Sequence, residues 1–83
     1  MLKSLEKFAN LLKDNLTFFP VAEGFEVDIP SGQHITIYHP QLEAFSPEDL
    51  VWLGIMVGHA AKEANVGVSG ISIKDNTVTI NLI

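Results

Sequence analysis

Eighty-three residues give room for one hydrophobic core and no second, so the chain reads as one α+β domain over residues 1–83. Apolar residues make up 47% and charged residues 18%, which excludes a disordered chain, and the absence of cysteine excludes a disulfide framework and a cysteine zinc site. Ten carboxylates oppose five cations, all lysine, for a formal charge of −5, and no lysine lies between Lys13 and Lys62; without a basic patch to displace phosphate counterions, nucleic acid is not an expected partner.

The chain begins in an amphipathic stretch. Leu2, Leu5, Phe8, Ala9 and Leu12 recur at three- and four-residue spacings between Lys3, Glu6, Lys7 and Asn10, which predicts a helix over Leu2 to Lys13 closed by Asp14 and Asn15. No signal-peptide core precedes it, and no apolar run approaches the ~18 residues of a membrane span, so the expectation is a cytoplasmic protein without a membrane partner. Leu16 to Ala22 is apolar without a period and reads as a loop pinned to the core.

From Phe25 the period becomes two. Phe25, Val27 and Ile29 alternate with Glu26 and Asp28, and Ile35 and Ile37 alternate with His34, Thr36 and Tyr38. These are two half-buried strands, with Ile29 expected opposite Ile35, Val27 opposite Ile37, and Ser31-Gly32-Gln33 as the loop. Ser46-Pro47-Glu48-Asp49 then combines a serine cap, a proline at the first helical position and carboxylates at the positive end of the dipole, which predicts a second helix running to Ala64 and stopped by Asn65 and Gly67. The last segment sets Ile71 and Ile73 against Ile80 and Val78 across an Asp75-Asn76 turn.

The order is helix, hairpin, helix, hairpin (αββαββ). Each strand has one apolar face and each helix one apolar stripe, so the expected architecture is a two-layer sandwich with both helices on one face of a four-stranded, mainly antiparallel sheet.

Helix two carries more apolar surface than one stripe requires. Leu50, Leu53, Val57, Ala60, Ala61 and Ala64 suffice to pack it on a sheet, yet Trp52, Ile55 and Met56 fall on the other side beside His59, Lys62 and Glu63. Trp and Met rimmed by charge is the composition of a protein interface, so Trp52, Ile55, Met56 and His59 are the candidate partner-binding residues. The competing reading is that helix one or Phe18-Phe19 folds over them and makes Trp52 core. Gly54 and Gly58 stand four apart, and two helical glycines predict a tight contact with a neighbouring element.

The outer face of the first hairpin carries Glu26, Asp28, His34, Thr36 and Tyr38, with His39 just beyond, a set with the chemistry for a polar ligand site. Alternation alone also places polar residues on a solvated face, and no compact metal-ligand, nucleophile or phosphate-loop motif is present, so neither a metal nor a cofactor is expected. Seven carboxylates from Asp14 to Asp49 give mid-chain a negative field that serves solubility or steers a basic protein surface. The sequence therefore favours a non-catalytic interaction module, self-associating, with adaptor, subunit or small acidic inhibitor as its role. The alternative is a small-ligand-binding protein or enzyme with a site formed between protomers.

Overall fold

The computed structural model describes residues 2–18 and 24–83. Its elements are α1 (Leu2–Leu16), β1 (Glu26–Ser31), β2 (His34–Tyr38), a short 3-10 turn (Leu42–Ala44), α2 (Pro47–Ala64), β3 (Val68–Lys74) and β4 (Thr77–Leu82). The strands form one antiparallel sheet in the order β1-β2-β4-β3, so the two hairpins meet along β2 and β4 and leave β1 and β3 at the edges. The expected αββαββ sandwich is the one formed.

One core joins the layers. Ile35 and Ile37 of β2 lie opposite Ile80 and Val78 of β4, and these four side chains are buried under Leu5, Phe8 and Leu12 of α1 and Leu53, Val57 and Ala60 of α2. Both helices thus cover the same sheet face. Each large apolar side chain removed from water there contributes roughly 1.5–3 kcal/mol, which is what sets the registers of the central strands.

Helix α1 runs three residues beyond the expected end at Lys13. Leu16 is buried, and packing its side chain on the core outweighs the weak helix propensity of Asp14 and Asn15. The helix then closes with the Thr17 hydroxyl donating to the Asp14 carbonyl at 2.6 Å. Of the apolar stretch read as a pinned loop, Leu16 belongs to the helix and Phe18 is exposed, while residues 19–22 lie outside the described residues.

The expected register of the first hairpin holds for Val27 opposite Ile37 and fails for Ile29 opposite Ile35. The ladder shifts between Asp28 and Ser31, so that Ser31 faces His34 and the turn shrinks to Gly32-Gln33. Pro30 lies inside this irregular stretch, and its missing N–H suits an edge strand where the ladder is already broken. Ile29 is consequently left at the surface.

Helix α2 follows its sequence signals residue for residue. The Ser46 hydroxyl accepts from the Asp49 amide at 3.2 Å, Pro47 opens the helix, and Asn65 ends it in the left-handed region at φ 58°. Asn65 N–H donates to the Lys62 carbonyl and Val66 N–H to the Ala61 carbonyl, which satisfies the last turn while Val66 packs on the core. The second hairpin turns on Asp75 and Asn76, both at positive φ (52° and 61°), matching the twist of its strands.

Candidate interaction surface

The 18-residue helix α2 presents its two sides to different surroundings. Leu53, Val57, Ala60, Ala61 and Ala64 are buried, as the apolar stripe requires. Trp52 is 56% exposed and Ile55 55% exposed, and Val51 is exposed beside them. Among the described residues neither α1 nor Phe18 covers Trp52, which is not buried; Phe19, the other residue of the competing reading, lies outside the described residues.

Met56 differs from its neighbours. It is half-buried and packs against the core, because about 100° per residue puts it on the flank of the stripe and not opposite it. His59 is exposed, with Nε2 3.7 Å from a carboxylate oxygen of Glu63 one turn on. Of the candidate quartet, Trp52 and Ile55 form an outward apolar face, His59 lies on its polar border and Met56 anchors the helix.

The two α2 glycines serve no tight contact. Among the described residues a Cβ placed on Gly54 or Gly58 would meet nothing within 4 Å, so the expectation of a close neighbour is corrected: both glycines lie on the exposed side of the helix.

A second apolar surface lies at the β3 edge. Ile71 and Ile73 face the same way as their fully buried cross-strand partners Ile80 and Val78, yet remain 47% and 49% exposed. The helices that bury β4 do not extend over β3. Among the described residues its inward face is therefore open at Ile71 and Ile73, though not at Val68, which packs on the core, and the strand edge has no neighbour in the sheet.

The polar residues of the first hairpin do not converge. Glu26 lies opposite Tyr38 and Asp28 opposite Thr36, whereas the register shift moves His34 beside Ser31, whose hydroxyl is 2.7 Å from His34 Nδ1. Across the sheet these residues continue into Thr77, Thr79 and Asn81 of β4 and Ser72 and Lys74 of β3, a polar face and not a pocket. No group of three or more His, Asp or Glu side chains among the described residues is arranged to hold a metal ion.

His39 is the polar side chain whose role the sequence hid. It is buried between Phe25 and Phe45, with ring centroids 4.7 Å and 5.1 Å away, and its Nδ1 accepts from the Gln41 amide at 3.0 Å. Accepting at Nδ1 selects the neutral tautomer with its proton on Nε2. Nearby, Asn76 ties the second hairpin to this loop: its carbonyl accepts from His39 N–H at 3.1 Å and its side-chain oxygen from Glu43 N–H at 2.8 Å. These contacts make His39 a structural residue.

A shallow cavity of about 260 Å³ lies at the opposite end of the sheet, lined by Leu5, Asn65, Val66, Leu82 and Ile83 among others. No lining side chain is charged, and the volume falls below the roughly 300–1,000 Å³ of small-molecule sites. No helix among the described residues is long and apolar enough to cross a membrane. No protein-family model matches the chain, and a search of curated proteins finds no significant relative.

Proposed function

We propose that this chain is a non-catalytic protein-interaction module of the cytoplasm that associates with itself through the outer face of α2, as a subunit or adaptor. One observation carries the reading: Trp52 and Ile55 stay more than half exposed on a helix whose buried stripe is already complete without them. Exposed Trp beside aliphatic residues, bordered by His59, Lys62 and Glu63, is the arrangement of an interface centre within a polar rim. The polar hairpin face of Glu26, Asp28, His34, Thr36 and Tyr38 is assigned to solvation, since its groups are spread along a sheet.

The test is light scattering behind size exclusion on the parent and on Ile55→Lys. A charge placed at the centre of the face should lower the parent's oligomeric state with unchanged circular dichroism. An oligomeric state that the substitution leaves unchanged, or a parent monomeric at high concentration, contradicts the proposal.

A further inference from the structure

The two edges of the sheet are built differently. Edge strands invite pairing with other chains, and β1 carries the usual deterrents: Glu26 and Asp28, Pro30 within it, and a ladder broken between Asp28 and Ser31. The seven-residue strand β3 has none of the chain's ten carboxylates and no proline, its one charge is Lys74 at the end, and its own ladder shift falls near its start, between Val68 and Gly70, leaving Ile71 to Lys74 regular. Its apolar residues Ile71 and Ile73 stand half exposed on the covered side of the sheet.

The backbone at that edge follows from the ladder. Leu82 N–H donates to Gln33 beside β2, and Ile83 N–H to Gly67 at the start of β3. Backbone groups alternate sides along a strand, so Asn81, Thr79 and Thr77 turn theirs toward β3, where they meet Gly70, Ser72 and Lys74. The N–H and C=O groups of Ile71 and Ile73 therefore point out of the sheet.

From these observations we infer that β3 pairs antiparallel with β3 of a second copy, about a two-fold axis at Ser72, making a continuous eight-stranded sheet. This rests on the self-association proposed above and adds a second seam, at the sheet edge and separate from the outer face of α2. The Ser72 register brings Ile71 of each copy into a hydrogen-bonded pair with the second copy's Ile73, so every outward group of these four isoleucines gains a partner. It also gathers their half-exposed side chains on one face. Lys74 lies opposite the second copy's Gly70, which keeps the two ammonium groups at opposite ends of a seam free of carboxylates, an advantage for two copies that each carry −5. Registers centred on Ile71 or Ile73 would set the other isoleucine against Ser69 or Asp75 of the second copy and lose the isoleucine pairs.

Ser72 would face its own copy as a non-hydrogen-bonded pair, with Cα atoms about 4.5 Å apart, close enough for a disulfide. The chain has no cysteine, so Ser72→Cys reports alone. The experiment is mild oxidation of Ser72→Cys and of Glu6→Cys, a control on exposed α1, beside sedimentation of the parent. A disulfide-linked dimer forming with Ser72→Cys at concentrations where Glu6→Cys stays monomeric is the expected result. Ile73→Lys, half exposed in one chain and so compatible with folding, should weaken dimerisation by about 10- to 100-fold. A parent that dimerises while Ser72→Cys links no faster than Glu6→Cys and Ile73→Lys leaves the dimer intact overturns the β3 seam but not self-association. A parent monomeric throughout overturns both.

Discussion

Trp52 and Leu53 are neighbours in sequence, one exposed and one buried, and truncating each to alanine separates core from interface within one helix. Leu53 is 2% exposed in a cluster with Val57 and Ile80, so Leu53→Ala leaves a cavity and should cost about 2–5 kcal/mol. A domain of this size has only ~4–12 kcal/mol of stability in total, from roughly 0.05–0.15 kcal/mol per residue. Each kcal/mol moves the midpoint of a small domain by about 4–8 °C, so Leu53→Ala should lower Tm by at least about 8 °C and in the severe case prevent folding. Trp52→Ala removes a side chain that is more than half in water and should cost the isolated chain about 1 kcal/mol or less. Urea unfolding followed by circular dichroism, at concentrations low enough to keep the chain monomeric, measures both. Equal losses for the two variants would refute the two-sided reading of α2 and make Trp52 a core residue.

Gly54→Ala and Gly58→Ala should each stabilise the monomer by up to about 1 kcal/mol, because alanine favours the helix and the new methyl meets open space; a loss of stability in thermal melts would reveal a contact at that face. Asn76→Ala should cost about 2 kcal/mol, combining a left-handed backbone without glycine or asparagine and the lost bond to Glu43 N–H, and Asn76→Gly should recover the backbone part alone. Equal unfolding midpoints for the parent and Asn76→Ala would contradict that account.

Much of the architecture was legible because its signals are local. Ser46-Pro47 and Asn65 mark helix ends through hydrogen bonds within a few residues, and the period-two runs fix which side chains share a face. What alternation omits is what covers that face: Ile71 and Ile80 look alike in sequence, and only the strand order, with β4 central and β3 at the edge, buries one and leaves the other exposed. The first hairpin's register went astray at Pro30, where a missing donor breaks a ladder that side-chain alternation alone would have continued. Asp14 and Asn15 marked a helix end that Leu16 overrode by packing. Trp52 and Ile55 stood out as excess apolar surface on α2, whereas the cage around His39 joins Phe25 and Phe45 from distant segments and follows no period.

Self-association is tested most directly by the solution mass of the chain, taken by sedimentation equilibrium over a wide concentration range with Trp52 emission read on the same samples. The expected result is a concentration-dependent oligomer whose tryptophan emission shifts to shorter wavelength as it forms. A species that stays monomeric at the highest concentration, with emission unchanged throughout, would contradict it.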